Sequence, residues 1–396
     1  MNKLTVKDID TRGKSVLMRV DFNVPCDKKT GDITDDTRIR AALPTIDYIL
    51  KQGPKKLILM THLGRPDGQV REELRLDKVA GRLAELIQAP VKKLNDCVGQ
   101  DVKEEILASR EKVVLLENLR FHAEEEENNP SFAKDLAGLA ELYVNDAFGT
   151  AHRAHASTEG VAHYLPAVAG FLMDKEIKYL SISLEAPQKP FVVILGGAKV
   201  SDKIGLIENM LQKADRFLIG GGMAYTFLKA QGVAVGLSKL EADKVDLARE
   251  TLAKAKKAGV TVLLPVDHLI VDKIDAPSRV LTTPDASIPD GMIAVDIGPK
   301  TIRAFIDGLK GCRTICWNGP LGIFENERYA QGTKEIARAV AKSGAKTIIG
   351  GGDTASAVTH FGLQDKMTHI STGGGASLEF LEGKALPGIT ALKDKT

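Results

Sequence analysis

Short apolar runs alternate with longer amphipathic stretches along the whole chain of 396 residues. The short runs predict buried strands, because polar or glycine residues bound them on both sides. In the first half the predicted strands are Ser15–Val20, Lys56–Met60, Val113–Leu116 and Leu142–Asn145. In the second half they are Phe191–Leu195, Phe217–Ile219, Val262–Leu264, Thr314–Trp317, Lys346–Ile349 and His369–Ser371.

The longer stretches carry apolar residues at helical spacing. In one of them Phe132, Leu136 and Leu139 share a face, and Asn129-Pro130 ahead of it is a helix start signal. The predicted helices include Arg38–Leu50, Leu76–Ile87, Ser131–Ala140, Phe171–Leu184 and Glu241–Ala258. Strands that alternate with helices of this length predict an α/β fold whose parallel sheets have helices on both faces.

The length of the chain predicts two domains, at roughly 100–200 residues each. The predicted helix Phe171–Leu184 ends in a segment broken by Pro187 and Pro190, which indicates a stiff connector. We therefore expect two Rossmann-like domains, 1–170 and 191–381, each a parallel sheet flanked by helices, joined by a hinge helix at 171–190. The acidic run Glu124–Glu127 predicts a solvent-exposed helix start, in preference to a metal site.

Composition narrows the class of protein. Hydrophobic residues make up 43% and charged residues 27%, as in soluble globular proteins, and the net charge of +2 gives no bulk reason to expect nucleic acid or membrane as a partner. Four cysteines are too few for a disulfide framework, and we expect Cys312 and Cys316 to be buried or partly buried thiols, in preference to metal ligands. The segment Met1–Asp10 has no apolar leader pattern, and no stretch approaches the ~18 apolar residues of a membrane span, so we expect a cytoplasmic protein.

Glycine and arginine are distributed unevenly. The first 190 residues hold 11 of the 18 arginines but only 11 of the 37 glycines. In the second half, glycine clusters follow four predicted strands, beginning at Gly196, Gly220, Gly350 and Gly373. Glycine lets the backbone approach a ligand closely, and a following helix N-terminus offers N–H groups to phosphate at the carboxyl edge of a parallel sheet. The second half therefore predicts a nucleotide or phosphate site, where Lys199 and Lys203, four residues apart, would add positive charge.

The sequence motifs leave two alternative functions open. The pattern G-x-x-x-x-G-K-[ST] is absent from the sequence, which excludes a P-loop NTPase. Residues 350–355 formally fit the dinucleotide pattern G-x-G-x-x-A, as in an NAD-dependent dehydrogenase, but Asp365 lies too early and Glu379 too late for the ribose carboxylate. A non-enzymatic nucleotide-binding or scaffold protein is the second alternative, although it would not need the arginines of the first half.

Polar side chains follow the predicted strands of the first half. They are Asp21, Asn23, His62, Arg65, Arg120, His152 and Arg153, and Arg38 opens the first helix. In a parallel sheet they all emerge at one edge, where several guanidinium groups and His62 or His152 would fit a small substrate bearing phosphate and carboxylate. Asp21 and Asn23 would anchor a hydroxyl or carboxylate group of that substrate.

Seven short motifs, in order over both halves, carry a family resemblance. They are Arg19-Val20-Asp21-Phe22-Asn23-Val24-Pro25, Thr61-His62-Leu63-Gly64-Arg65-Pro66, Glu117-Asn118-Leu119-Arg120-Phe121, Gly196-Gly197-Ala198-Lys199-Val200-Ser201-Asp202-Lys203, Trp317-Asn318-Gly319-Pro320, Gly351-Gly352-Asp353-Thr354 and Ser371-Thr372-Gly373-Gly374-Gly375-Ala376-Ser377. On these motifs the chain resembles the phosphoglycerate kinases from end to end. The resemblance implies reversible phosphoryl transfer between 1,3-bisphosphoglycerate and ADP, giving 3-phosphoglycerate and ATP, with Mg²⁺.

The resemblance also implies a role for each part of the chain. Domain 1–170 would hold the phosphoglycerate, domain 191–381 the nucleotide, and the tail 382–396 would return to the N-terminal domain of a monomer. The substrate-binding residues would be Asp21, Asn23, Arg38, His62, Leu63, Gly64, Arg65, Arg120 and Arg153. The nucleotide-binding residues would be Gly197, Ala198, Lys199, Lys203, Gly298, Asn318, Glu325, Gly351, Gly352, Asp353 and Thr354. Asp353 would also contact Mg²⁺, Glu325 would bind the ribose, and the catalytic residues would be Arg38, Lys199, Gly352 and Gly375.

The chemistry of this reaction agrees with the residue types. Phosphoryl transfer needs positioning and charge neutralisation in a site without water, which cations and glycine-rich backbone supply. The carboxylate of 3-phosphoglycerate is already a nucleophile, so no general base is expected, and we find no Ser/His/Asp or Cys/His constellation. Closure of the two domains would exclude the water that hydrolyses an acyl phosphate.

Overall fold

The structure, a computed structural model, describes residues 2–395, which divide into two compact units. Unit 1 is the chain up to Lys178 together with the segment from Ala385 onward, and unit 2 is Tyr179–Lys384. The division falls inside the segment predicted as a hinge, and the assignment of one ligand to each unit stays a prediction. No helix within the described residues is both long and apolar enough to cross a membrane.

Unit 1 is built on one parallel sheet. Its strands are β1 Ser15–Arg19, β2 Lys56–Met60, β3 Val91–Lys93, β4 Val113–Leu115, β5 Leu142–Asn145 and β6 Ala167–Ala169. They are ordered β3-β4-β2-β1-β5-β6, so the first strand of the chain lies inside the sheet. The helices of this part of the chain are α1 Thr37–Gln52, α2 Asp77–Ile87, α3 Gln100–Ala108, α4 Ala123–Glu126 and α5 Pro130–Ala137.

The helix α6, Phe171–Leu184, has the predicted bounds and runs from unit 1 into unit 2. Asp146, which follows β5, accepts hydrogen bonds from the backbone N–H groups of Leu172 and Met173 at 2.8 and 3.1 Å. These bonds satisfy N–H groups in the first turn of α6, which have no partner within the helix. The first strand of unit 2 then begins at Phe191.

Unit 2 contains two sheets. Its strands are β7 Phe191–Leu195, β8 Arg216–Ile219, β9 Thr261–Leu263, β10 His268–Val271, β11 Val280–Thr282, β12 Ile293–Ile297, β13 Thr314–Asn318, β14 Lys346–Gly350 and β15 His369–Ile370. Six of them form a parallel sheet ordered β15-β14-β13-β7-β8-β9. The other three form an antiparallel sheet ordered β11-β10-β12.

The helices of unit 2 lie between these strands. They are α7 Ile204–Met210, α8 Met223–Ala230, α9 Val245–Lys257, α10 Pro299–Leu309, α11 Gln331–Lys342, α12 Gly352–His360 and α13 Gly375–Leu381. A last helix, α14 Pro387–Thr390, belongs to unit 1. Short 3₁₀ turns occupy Val6–Asp8, Glu72–Leu74, Leu119–Phe121, Phe148–Thr150, Gly160–His163, Ala242–Lys244, Glu327–Tyr329 and Gln364–Lys366.

The central strands of both large sheets are buried along almost their whole length, because helices cover both faces. In unit 1, Val16 and Met18 of β1 pack in one buried cluster with Ile46 of α1. In unit 2, Trp317 of β13 is fully buried in a cluster that includes Phe305 of α10. This burial on both faces is the expected signature of parallel sheets, and the predicted fold class is confirmed.

Candidate active site

Asp21 and Arg38 meet at the carboxyl end of β1. Arg38 lies in the first turn of α1 and donates from Nη1 to Oδ2 of Asp21 at 2.5 Å. The Asp21 side chain is 10% exposed and the Arg38 side chain 39%, so the guanidinium keeps access to solvent. Gly149, after β5, packs against the pair, because a Cβ there would lie 2.4 Å from Oδ2 of Asp21. The absence of a side chain at Gly149 therefore allows the pair to form.

Asn23, Gly64 and Arg120 form a second connected group. Asn23 accepts a hydrogen bond from the Gly64 N–H at 3.0 Å, and Arg120 donates from Nη1 to the Gly64 carbonyl at 2.9 Å. The neighbouring Leu63 N–H donates to the side chain of Asn118. The loop after β2 is thus fixed by the segments after β1 and β4, and the backbone N–H groups of Leu63 and Gly64 are engaged within unit 1.

His62 lies among several of the positive charges of unit 1. Its side chain is buried at 3% exposure, and burial and nearby cations hold its pKa well below the usual value, so the imidazole is neutral at neutral pH. The cations are four arginines, Arg19, Arg120, Arg153 and Arg38. That four guanidinium charges act on one imidazole shows that arginines distant in sequence are gathered around one place.

The other predicted cations of unit 1 are more open. Arg65 is exposed after β2, and Arg153 is half-buried and donates from Nε to Nε2 of His152 at 3.3 Å. Arg19 is a member of this cluster that the sequence did not single out, since a charged residue ending an apolar strand usually faces solvent. Its only signal was its position as the single charge within the run Ser15–Val20.

The prediction of a solvent-exposed acidic helix start at Glu124–Glu127 was wrong for one residue. A helix does begin there, as α4, but Glu125 is fully buried. Its carboxylate accepts hydrogen bonds from the backbone N–H and the hydroxyl of Ser157, at 2.9 and 2.6 Å. Burial raises the pKa of Glu125, and the nearby positive charge of Arg19 opposes that rise. The Glu125 carboxylate can be buried because it balances the charges of Arg19 and Arg120. The sequence alone does not show that Arg19 lies near it.

In unit 2 the glycine clusters lie where parallel strands end. A Cβ at Gly196, after β7, would lie 2.0 Å from the Pro320 carbonyl, and one at Gly221, after β8, would lie 2.8 Å from the backbone of Gly197. These glycines let the turns after β7, β8 and β13 pack backbone against backbone. At Gly352, which begins α12, a Cβ would meet nothing within 4 Å, so this backbone is open to a ligand.

A cavity of about 350 Å³ opens beside these turns. Apolar side chains and glycine backbone form much of its wall, with the carboxylates of Glu325 and Asp353 also lining it. The lining residues are Gly197, Ala198, Gly221, Gly222, Tyr225, Lys239, Ile274, Ile293, Ala294, Val295, Pro320, Gly322, Ile323, Glu325 and Asp353. An apolar wall with a few polar groups suits a flat base joined to a polar sugar.

Gly298 was predicted beside the nucleotide but is not among the residues lining this cavity. It is buried ahead of α10, and a Cβ there would lie 2.3 Å from the Asp267 side chain. Its observed role is thus close packing against a buried carboxylate. The predicted residues that do line the cavity are Gly197, Ala198, Glu325 and Asp353.

Several of the remaining predicted residues of unit 2 lie near the start of α12. Lys203 donates from its ammonium group to Oδ1 of Asn318, and burial lowers the pKa of this lysine. Thr354 accepts from the Gly319 N–H at 2.6 Å, so its hydroxyl is engaged within unit 2. Gly351 has a φ of 86° and precedes the helix, and Gly375 is exposed at the start of α13.

Lys199 is exposed on the turn after β7, and Glu241 holds that turn. The Glu241 carboxylate accepts hydrogen bonds from the backbone N–H groups of Val200 and Ser201 and from the Ser201 hydroxyl. Three bonds to one carboxylate fix the segment that carries Lys199. Glu241 was not predicted as a site residue, because it lies far along the chain from Val200 and Ser201 and the sequence does not show that these segments are in contact.

Asp353 could serve a divalent cation together with a phosphorylated ligand. It is exposed in the first turn of α12. Within residues 2–395, the one group of three side chains that could hold a metal by themselves is Asp96, Cys97 and His122, in unit 1. A lone carboxylate fits Mg²⁺, which proteins usually hold by one or two carboxylates plus substrate phosphates.

Comparison with known proteins agrees with the motifs. The family model described as phosphoglycerate kinase matches residues 6–384. Phosphoglycerate kinases of Moorella thermoacetica and Dictyoglomus turgidum are each 58% identical, covering 100% and 99% of this chain and 100% and 98% of their own length. Solved structures of phosphoglycerate kinases from Coxiella burnetii and Pyrococcus horikoshii match with TM-scores of 0.89 and 0.84, at 42% and 34% identity, over 98% of both chains.

Proposed function

The chain belongs to the phosphoglycerate kinase family and is a phosphotransferase of glycolysis, and from this premise we propose how its two units divide the reaction. Unit 1 binds 3-phosphoglycerate or 1,3-bisphosphoglycerate, and unit 2 binds ATP or ADP with Mg²⁺. The observations that carry the proposal are the gathering of arginine charge around His62 in unit 1 and, separately, the glycine-rich cavity in unit 2. The family assignment also leaves no support for the dehydrogenase and scaffold alternatives.

In unit 1 the ligand is a small trianion, with a phosphate at one end and a carboxylate at the other. Guanidinium groups bind both with paired hydrogen bonds, and Arg38, Arg65, Arg120 and Arg153 supply them. His62 adds a neutral donor. Asp21 and Asn23 fix the orientation of the substrate by binding its hydroxyl group. Asn23 also holds the loop at Leu63 and Gly64. Because Asp21 already binds Arg38, it also positions that guanidinium.

In unit 2 the base occupies the apolar cavity, next to Gly197 and Ala198, and Glu325 accepts from the ribose. Lys199, Lys203, Gly351, Gly352 and Thr354 surround the phosphates, as side chains or as backbone N–H donors near the start of α12. Asn318 positions the Lys203 ammonium group. Asp353 would hold Mg²⁺, which would neutralise charge on the phosphate oxygens. Gly298, just ahead of α10, packs closely against the Asp267 side chain.

The reaction itself breaks one bond and forms one. A carboxylate oxygen of 3-phosphoglycerate attacks the γ-phosphorus of ATP, and the bond to the bridging oxygen of ADP breaks, with no proton removed from the nucleophile. Arg38 and Lys199 neutralise the charge of the transferring group, and the backbone at Gly352 and Gly375 contributes N–H donors. No general base is needed, because the attacking carboxylate carries no proton to remove.

The two ligands must meet for transfer, so we infer that the units close about segment 171–190 during turnover. Closure would keep water from the acyl phosphate. With a net charge of only +2, we propose small-molecule partners in preference to nucleic acid or membrane. That the enzyme is a monomer stays a prediction from the family resemblance, and that it is cytoplasmic stays a prediction from the sequence pattern.

A matched pair of variants tests the division of ligands. Activity is measured with ATP, Mg²⁺ and 3-phosphoglycerate, coupled through glyceraldehyde-phosphate dehydrogenase to NADH oxidation. Arg65 and Glu325 are both exposed, so neither change disturbs a core. Arg65→Ala should raise KM for 3-phosphoglycerate about 10-fold or more and leave KM for ATP within about twofold. Glu325→Ala should raise KM for ATP about 10-fold or more and leave KM for 3-phosphoglycerate within about twofold. A variant that raises the KM of the other ligand instead would contradict the proposal.

A further inference from the structure

A buried chain of polar groups lies behind His62. Arg19 is 1% exposed, and Ser157 and Glu125 are fully buried. Arg19 donates from Nε to the Ser157 hydroxyl at 2.8 Å, and that hydroxyl donates to Glu125 at 2.6 Å. Three elements distant in sequence, the end of β1, the start of α4 and the loop at Ser157, thus converge on one guanidinium group.

The remaining guanidinium nitrogens are directed by this arrangement. Nη1 of Arg19 donates to the Val20 carbonyl, and Nη2 lies 3.2 Å from Nδ1 of His62. A guanidinium is planar and its donors form a rigid fork, so fixing Nε and Nη1 also fixes the direction of Nη2. The Ser157 and Glu125 pair therefore sets where Arg19 meets the imidazole.

The contact with Arg19 decides which ring nitrogen of His62 carries the proton. Arginine has only donors, so Nδ1 of His62 must be the acceptor. The imidazole is neutral, because burial and the surrounding arginines oppose a second proton. A neutral imidazole whose Nδ1 accepts has its proton on Nε2. Nε2 is then the one ring atom that can donate to an anion.

We propose that Arg19, held by Ser157 and Glu125, is a positioning residue that fixes His62 as the Nε2–H tautomer and so makes it a neutral hydrogen-bond donor to the phosphoglycerate. The inference deepens the proposed function, since it relies on His62 contacting that substrate. Arg19 acts through His62, and the Glu125 carboxylate balances a charge that would otherwise be buried alone.

The direct test uses the ligand-free wild-type protein. Two-dimensional ¹H–¹⁵N spectra of ¹⁵N-histidine-labelled protein, with the His62 signals assigned by His62→Gln, report which ring nitrogen is protonated. The inference predicts a single Nε2–H tautomer at neutral pH. An Nδ1–H tautomer, a mixture of tautomers or a doubly protonated ring would overturn it. This measurement needs no substrate, so it separates failure of the inference from failure of the proposed function.

A conservative variant separates hydrogen bonding from charge. Arg19→Lys keeps a positive charge near His62 but lacks the fork that reaches both Ser157 and His62. The ring should remain neutral while the Nδ1–H tautomer becomes populated, and KM for 3-phosphoglycerate should rise about 3- to 10-fold with kcat changed less. A variant that keeps a pure Nε2–H tautomer and the wild-type KM would contradict the role of Arg19.

A milder change with a matched control tests the support behind Arg19. Ser157→Ala removes the hydroxyl that joins Arg19 to Glu125 and should raise KM for 3-phosphoglycerate about threefold or more, with KM for ATP unchanged. Thr158→Val is the control, because the Thr158 hydroxyl is buried and, among residues 2–395, has no hydrogen-bond partner. Equal kinetics in the two variants would overturn the positioning role of Ser157.

Discussion

Adding a methyl group at Gly149 should disrupt the Asp21–Arg38 ion pair while leaving both of these residues unsubstituted. Gly149 follows β5, and an added Cβ would lie 2.4 Å from Oδ2 of Asp21 and 3.8 Å from Nη1 of Arg38. The Asp21 side chain has little room to retreat, since it is only 10% exposed. Gly149→Ala therefore pushes the carboxylate away from the position in which it holds Arg38.

The size of the effect follows from the distances. A carbon and an oxygen in close contact lie about 3.3 Å apart, so the Asp21 carboxylate must move by about 1 Å. A misplacement of about 1 Å near the reacting atoms can cost about 10²-fold, and we expect kcat to fall about 10- to 100-fold. The overpacking should also lower the free energy of unfolding by about 1–3 kcal/mol.

The coupled assay measures kcat for Gly149→Ala, and urea denaturation measures its free energy of unfolding. Gly81→Ala is the matched control, because Gly81 lies within α2 and an added Cβ there would meet nothing within 4 Å. Alanine in a helix interior should raise the free energy of unfolding by about 0.5–1 kcal/mol and leave kcat unchanged. A Gly149→Ala variant that folds and keeps kcat within about twofold of wild type would show that the missing side chain at Gly149 is not what lets Asp21 hold Arg38.

Three further changes probe the account. Arg38→Ala should lower kcat by at least about 10²-fold, and an unchanged kcat would remove Arg38 from the catalytic role. Glu241→Gln should lower kcat about 3- to 10-fold with KM for 3-phosphoglycerate unchanged, since it loosens only the turn that carries Lys199; a rise in that KM would argue against this. Burial raises the pKa of Asp146 to about 7, so its contribution to stability is complete below the unfolded pKa near 3.8 and is lost as pH rises through 7. The free energy of unfolding of Asp146→Asn, measured by urea denaturation, should therefore rise by about 3 kcal/mol relative to that of the wild type between pH 5 and pH 8. A difference between the two proteins that does not change with pH would contradict the assignment.

The fold was predictable from sequence wherever a strand is buried on both faces. Lys56–Met60 was predicted with its observed bounds. Its apolar run is unbroken and is flanked by glycine and polar residues, a pattern that indicates a buried strand. Val91–Lys93 was missed because its two lysines hide a half-buried strand at the sheet edge. The antiparallel sheet was missed for a related reason, since Val280–Thr282 is an exposed edge strand with no alternating pattern.

The candidate site was predictable to the extent that its residues directly follow strands. Asp21 and His62 follow β1 and β2, and topology alone brings them to one edge. Arg19, Glu125 and Glu241 were not identified, because their roles depend on contacts between segments far apart in sequence. Sequence therefore indicates which residues lie at the carboxyl edge of a sheet, whereas the residues that hold them in place require coordinates.

Hydrogen exchange measured by mass spectrometry shows which unit of the enzyme each ligand protects. The enzyme is compared alone, with 3-phosphoglycerate and with Mg²⁺–ADP. The account predicts that 3-phosphoglycerate slows exchange in the loops after β1, β2 and β4 of unit 1. It predicts that Mg²⁺–ADP slows exchange in the turns after β7, β13 and β14 of unit 2. Protection of the same unit by both ligands, or the reverse assignment, would contradict it.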